Sequence, residues 1–207
     1  MRLLDLFCGA GGAAVGYHRA GFAEIVGVDI RPQPRYPFAF VQADAMAFPL
    51  EGFDVIHASP PCEAYTRCTP REYRGNHPDL IDAIRTRIRQ AGTSYVIENV
   101  PDARHLLNSP FMLCGTMFGL PLLRHRYFEV EPQIFALLPA CGHPRLPIVV
   151  TGTTRRKTGR LEYKVQDCRD AMDVQWMVRT EIDKAIPPAF TEYIGRNLLS
   201  LLGERVQ

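Results

Sequence analysis

Short apolar runs alternate with amphipathic stretches along most of this chain, and each apolar run stops at a polar residue or a turn signal. Leu3-Leu4-Asp5-Leu6-Phe7 predicts a buried strand. Cys8-Gly9-Ala10-Gly11-Gly12 then turns into a helix through Ala13, Ala14, Val15 and Tyr17 to Ala20, with Gly21 as its stop. Residues 24–29 read as a second strand and residues 40–44 as a third, joined by an irregular link containing Pro32, Pro34 and Pro37. The run 53–57 is a fourth strand, halted by Pro60-Pro61 because proline donates nothing to a ladder and fixes its own φ. Over residues 79–90, Leu80, Ile81, Ile84 and Ile88 share one helix face while Arg85, Arg87 and Arg89 fall on the other; Gly92 ends the helix. Residues 94–101 form a fifth strand, and residues 111–118 and 127–130 predict further strands, antiparallel or at an edge. Short helical pieces follow at 170–177 and 179–184. After Ile186-Pro187-Pro188, a closing helix over 190–202 carries Tyr193, Ile194, Leu198, Leu199 and Leu202 as its apolar positions. Strands alternating with helices predict an α/β chain with a parallel sheet.

The polar residues that end these runs carry the candidate chemistry. Ligands of open α/β sheets bind beyond the carboxyl ends of the strands. The glycine turn lets a ligand approach the backbone at a helix N-terminus, as in nucleotide-binding units. Asp29 lies about 20 residues further on, where an acid suits ribose hydroxyls; the alternative is a solvated strand-end aspartate. Asp44 ends the third strand where an adenine amino group could be held. Cys62, just past the proline stop, is a thiol on a stiff turn, positioned as a nucleophile; the alternative is a small buried residue in a proline-rich loop. Glu98 follows four core-like residues, which is costly unless the carboxyl is paired or used. The loop 63–78 is polar and basic without periodicity, with Arg67, Arg71, Arg74 and His77, and reads as a lid over substrate. A second basic stretch holds Arg155, Arg156, Lys157 and Arg160, read either as a nucleic-acid contact or as an ordinary solvated loop.

Composition adds bounds. The 207 residues make one domain, or one with a small annex, and 46% hydrophobic with 22% charged residues is ordinary for a globular protein. A net charge of +2 permits nucleic-acid binding without arguing for it. The six cysteines contain no C-x-x-C pair, so neither a metal site nor a disulfide framework is expected. Asp5 and the glycines after it interrupt the N-terminal apolar stretch, and no run reaches membrane-spanning length. The expectation is a soluble, cytoplasmic protein with no membrane contact.

Taken together, the chain resembles the cytosine-5 DNA methyltransferase family. The resemblance rests on five motifs in family order: residues 5–12 (DLFCGAGG), Pro60-Pro61-Cys62, Glu98-Asn99-Val100, Arg124-His125-Arg126 and Ala185-Ile186-Pro187-Pro188. It covers nearly all of the chain except residues 131–167. It implies a doubly wound, mostly parallel Rossmann-like sheet of the class I S-adenosylmethionine-dependent methyltransferases. It implies Cys62 as the nucleophile that adds to cytosine C6, Glu98 as the proton donor to N3, and Arg124 and Arg126 as ligands of the base or a nearby phosphate. Cys62 as thiolate would be favoured by neighbouring cations. The implied cofactor is S-adenosylmethionine, giving S-adenosylhomocysteine. Phe7, Gly9, Gly11, Asp29, Asp44, Ala45 and Pro60 match its cradle. Arg67, Arg71 and the cluster 155–160 would meet DNA, whose target base must be flipped out.

Under this resemblance residues 1–130 are the catalytic and cofactor-binding part, 131–170 a shortened recognition segment, and 171–207 helices returning to the catalytic part, in a monomer by default. The chain departs from the family pattern in three places. Asp183-Lys184 stands where a Gly-Asn pair is common, Leu122 replaces a Gln, and the recognition segment is short. The alternatives are the same chemistry on RNA or a free cytidine nucleotide, or a catalytically silent cofactor- or DNA-binding protein.

Overall fold

The structure, a computed structural model, describes residues 1–67, 69–135, 137–143, 148–150 and 163–204. Its strands are β1 (Arg2–Leu6), β2 (Glu24–Asp29), β3 (Ala39–Gln42), β4 (Val55–Ala58), β5 (Ser94–Asn99), β6 (Phe111–Cys114) and β7 (His125–Glu131). They form one sheet in the order β3-β2-β1-β4-β5-β7-β6. The first five are parallel, and β7 runs antiparallel to both β5 and β6. The helices are α1 (Gly12–Ala20), α2 (Arg71–Arg74), α3 (Ile81–Gln90), α4 (Val165–Met172), α5 (Arg179–Ile182) and α6 (Pro188–Glu204).

Alternation along the strands builds two cores. Leu3, Val55 and Val96 point to one face, where Ala14 and Tyr17 of α1 and Phe190, Ile194 and Leu198 of α6 pack on them. Leu4, Leu6, Ile56 and Ile97 point to the other, against Ile81, Ile84 and Ile88 of α3. Both faces are therefore covered, as the central strands, nearly all apolar, require. A third cluster packs α4 and α5 around Ala10 and Leu122, closing the chain back onto the glycine turn.

Several boundaries differ from expectation for physical reasons. The strand expected over 111–118 stops at Cys114, because Gly115 backs tightly onto Leu122 and starts a 3-10 turn. The helix expected at 170–177 is α4, which ends at Asp173 in the left-handed region. The loop 63–78 is not wholly without structure: it contains α2, and Arg67 pairs with Asp102 while Tyr65 bonds Asp79. Arg85, expected on the solvent face of α3, is buried by its pairing with Glu129 of β7. No helix among the described residues is long and apolar enough to cross a membrane.

Candidate active site

The turn after β1 passes through three left-handed residues, Phe7, Gly9 and Gly11 (φ 59°, 49° and 83°). A side chain at Gly11 would lie 2.7 Å from Pro37, so only glycine fits there. The space beside Gly9 is open, with nothing within 4 Å of where a Cβ would stand. Asp29, at the end of β2, is tied to this turn: its Oδ2 accepts the Gly9 N–H (3.1 Å) and its Oδ1 the Arg31 N–H (2.9 Å). Asp44 lies beyond β3 and accepts the Met46 N–H (2.9 Å), with Ala45 buried beside it. Trp176 Nε1 donates to the Ala10 carbonyl (2.8 Å), fixing the turn from the far end of the chain. The turn and the acids of β2 and the β3 end thus share the carboxyl edge of the sheet, together with Pro60. A glycine cradle with open space and a carboxylate that keeps spare lone pairs fits an adenosine-bearing cofactor.

Further along the same edge, β4 delivers Cys62 and β5 delivers Glu98 and Asn99. Asn99 Nδ2 donates to the Pro60 carbonyl (3.0 Å) and its Oδ1 accepts the Val100 N–H (2.9 Å), locking the proline turn to the end of β5. Because β7 is antiparallel, its first residues lie at this edge too, with Arg124 just before it and Arg126 within it. Arg126 Nε stands 2.8 Å from Glu98 Oε1 as an ion pair. The pair is not aligned as a hydrogen bond, and Oε1 has no hydrogen-bond partner. Arg124 is buried and donates from Nη2 to the Asp183 carbonyl (3.0 Å), while its Nε and Nη1 have no hydrogen-bond partner. Asp183 Oδ1 also lacks one, although Arg179 Nε lies 3.4 Å away. These four atoms are the buried side-chain N and O atoms without a hydrogen bond among the described residues, and Arg124 interacts electrostatically with both Glu98 and Asp183. Such groups are rare in folded proteins and point to a ligand that completes them.

Burial dominates the electrostatics. It pushes the Glu98 carboxyl above its ordinary value, against the pull of Arg126, Arg124 and a hydrogen bond from Ser59. Burial also lowers Arg124 well below the usual guanidinium value, with Arg126 adding to the effect. The expectation that nearby cations favour the Cys62 thiolate is corrected: burial, Glu63 and Glu98 raise this half-buried thiol, and Arg126 offsets them only in part.

Sequence reasoning missed a buried relay behind Glu98. Tyr17 Oη meets His57 Nδ1 at 2.9 Å, and His57 Nε2 meets Ser59 Oγ at 2.9 Å. Burial lowers the His57 pKa to about 3, so the ring is neutral. A neutral ring donates from one nitrogen and accepts at the other, so the two bonds run in one direction through His57. The signal was present in the strand pattern, because His57 occupies a core-facing position of β4 between Val55 and the proline stop. Asp183-Lys184, the departure noted above, also reaches the site: Lys184 Nζ lies 3.7 Å from Glu63, next to Cys62.

Arg67 and Arg71 come together with Arg74, Tyr65 and His105 around a cavity of about 610 Å³ that adjoins the Cys62 loop. Arg155, Arg156, Lys157 and Arg160 lie outside the described residues. A set of potential metal ligands that no short sequence spacing announces is present in three dimensions. Cys114, His125, Cys141 and His143 converge although no two of the cysteines are close in sequence.

No protein-family model matches the sequence, and no curated protein does. Solved structures do match in fold. A protein encoded within an E. coli prophage, named as a candidate DNA modification methyltransferase, is 16% identical with a TM-score of 0.67, covering 98% of this chain and 99% of that one. Entamoeba histolytica methyltransferase EhMeth is 10% identical (TM-score 0.65, 98% of each chain), and S. pombe Dnmt2 methyltransferase is 13% identical (TM-score 0.63, 98% and 99%). At these identities the likeness shows the fold: a Rossmann-like, mostly parallel sheet of the class I methyltransferase type.

Proposed function

We propose that this chain is an S-adenosylmethionine-dependent methyltransferase that acts on C5 of cytosine in DNA through a covalent adduct of Cys62 with C6. One observation carries the reading. A half-buried thiol lies beside a buried, raised-pKa carboxyl and two arginines, and the buried side-chain atoms without a hydrogen bond among the described residues sit on that carboxyl, on Arg124 and on Asp183. The names of the prophage protein and the other neighbours in fold support methyl transfer.

Phe7, Gly9, Gly11, Asp29, Asp44, Ala45 and Pro60 would hold the cofactor. Bound there, S-adenosylmethionine supplies a methyl group on a sulfonium leaving group. Cytosine C5 is too electron-poor to take it unaided. The Cys62 thiol gives up its proton to water or a base as its sulfur bonds to C6, and the ring electrons are pushed toward C5, which is nucleophilic catalysis. Glu98, whose neutral form burial favours, would give a proton to N3 and absorb the developing charge. Arg126 and the unfilled donors of Arg124 hold the base or an adjacent phosphate as the adduct forms. Once C5 is substituted, its proton passes to a base, the C6–S bond breaks, Cys62 leaves as thiolate, and Glu98 recovers the N3 proton. The arginines of the cavity beside the Cys62 loop would meet phosphates, which position DNA without reading it.

Residues 131–170 would serve as a shortened recognition segment, with 171–207 returning to the catalytic part. A segment of that length places few base contacts, each supplying about 1–3 kcal/mol of discrimination. We therefore expect a relaxed sequence context of about two or three bases and binding that weakens steeply with salt.

The test offers labelled cofactor with duplex DNA, single-stranded DNA, RNA or a free cytidine nucleotide, and traps the enzyme on DNA carrying 5-fluorocytosine. Duplex DNA should be methylated, and a covalent adduct should form with the native chain but not with Cys62→Ala. An adduct in that variant removes Cys62 as nucleophile. Turnover on RNA or nucleotide alone transfers the chemistry to the other substrate, and binding without any turnover makes the chain a silent relative.

A further inference from the structure

We propose that Cys114, His125, Cys141 and His143 form a structural zinc site that fastens the segment after β7 to the edge of the catalytic sheet. The four residues come from three places. Cys114 ends β6, His125 begins β7 as its direct partner across the ladder, and Cys141 and His143 lie in the segment that leaves the sheet after Glu131. Their ligand atoms all lie within 4.8 Å of one another. Both histidines present Nε2 to the cluster, 3.0 Å apart. Cys114 Sγ is 3.6 Å and Cys141 Sγ 2.9 Å from His143 Nε2, and His125 Nε2 is 3.4 Å from Cys141 Sγ.

A tetrahedral zinc ion with sulfur at about 2.3 Å and nitrogen at about 2.0–2.1 Å sets its ligands roughly 3.3–3.8 Å apart. Of these four separations two fall in that window, while the His125–His143 and Cys141–His143 distances are shorter than the matching pair distances by about 0.3 and about 0.6 Å and would open around the ion. Hydrogen bonding alone explains the convergence poorly. His125, His143 and Cys141 form a closed triangle of close contacts, and because each Nε2 either donates one proton or accepts, never both, the three contacts cannot all be ordinary hydrogen bonds. A cation at the centre satisfies all of their lone pairs at once. Two sulfurs and two imidazoles in tetrahedral array are a donor set that selects zinc. Thr116 supports the sulfurs from outside, its hydroxyl 3.4 Å from Cys114 Sγ and 3.8 Å from Cys141 Sγ, where it can donate to a thiolate.

With four protein ligands the site is closed and therefore structural. Its place gives it a purpose. His125 sits between Arg124 and Arg126, so a metal bond to its ring anchors the start of β7, from which both arginines reach the cleft. The inference rests on the ligand geometry and stands whether or not the proposed reaction is right.

The chain should be purified with reductant but without chelator or a metal-affinity tag, and its metal content measured by inductively coupled plasma mass spectrometry. About one zinc per chain is expected for a single tetrahedral site. Cobalt(II) exchanged into the protein should show thiolate-to-metal charge transfer and the strong visible absorption of tetrahedral coordination. The double variant Cys141→Ser/His143→Ala should lose both signals, whereas Cys168→Ser, outside the cluster, keeps them. Chelator should lower the native melting temperature and zinc restore it. Metal-free protein that takes up neither zinc nor cobalt, a Cys114–Cys141 disulfide in the reduced preparation, or a double variant that still holds the metal would overturn the proposal. The cobalt spectrum of the native chain decides the matter even if the double variant fails to fold.

Discussion

Two buried glutamates on the neighbouring strands β7 and β5 each meet arginines, and the two sites are built in opposite ways. Glu129 of β7 receives Arg85 Nε and Nη2 (both 2.8 Å), the Tyr95 hydroxyl (2.9 Å) and the Asn108 N–H (2.8 Å). Its carboxyl is held below the ordinary glutamate range despite burial. Glu98 of β5 is buried as deeply, yet its Oε1 lacks a hydrogen bond and its carboxyl is pushed upward. Arg85 is surrounded by acceptors, including the Leu106 carbonyl, while Arg124 keeps two bare nitrogens. The first pair is a finished knot that joins α3 to the sheet. The second is left incomplete by the chain itself, as groups that must act on something else are.

That contrast breaks most visibly at Arg85. Arg85→Met leaves Glu129 buried without its cation and should cost about 3–5 kcal/mol in urea unfolding, with turnover per folded molecule unchanged. A loss below about 1 kcal/mol would mean that the knot contributes little beyond ordinary surface pairs.

At the other pair the effect moves from stability to rate. Glu98→Gln keeps the shape and removes the proton donor, so methyl transfer should fall roughly 100-fold or more with the melting temperature preserved. Near-native turnover in a folded variant would show that another group protonates N3.

The finest effect concerns the relay. The Ser59 hydroxyl stabilises the ionised form of Glu98, so Ser59→Ala should raise the Glu98 pKa further. Activity requires the protonated acid, and its loss on the alkaline side should therefore shift to higher pH. A pH–rate profile that stays in place, or shifts downward, removes Ser59 from the relay.

Much of this was legible in the sequence because strand ends announce themselves. Apolar runs closed by Asp29, by Pro60-Pro61 and by Asn99 mark the carboxyl edge without any knowledge of the third dimension. What stayed hidden depends on partners distant in sequence. Arg85 looked solvated because helical periodicity assigns faces, and it cannot see a carboxylate brought over by β7, 44 residues away. His57 looked like one more core position because nothing local reveals Tyr17 above it. The four metal-ligand candidates escaped because their spacing follows a ladder pairing and a returning loop instead of a short sequence repeat. The electrostatic balance at Cys62 was misjudged for a related reason. Neighbouring charges can be guessed from motifs, but the extent of burial cannot.

Helix α1 lies under α6, and the join is intimate: Thr191 Oγ1 donates to the Ala13 carbonyl (2.8 Å), and the absent side chain of Gly16 makes room for Thr191 and the Pro188 carbonyl. These partners are 178 residues apart in sequence. During synthesis the glycine turn and α1 are made well before the surface that covers them, which arrives only with α6. A nascent chain must carry the bare faces of Ala14 and Tyr17 until the 178 residues between these partners have been made, a long interval of exposure to misassociation. That face is then closed late and at once, when the distant helix docks.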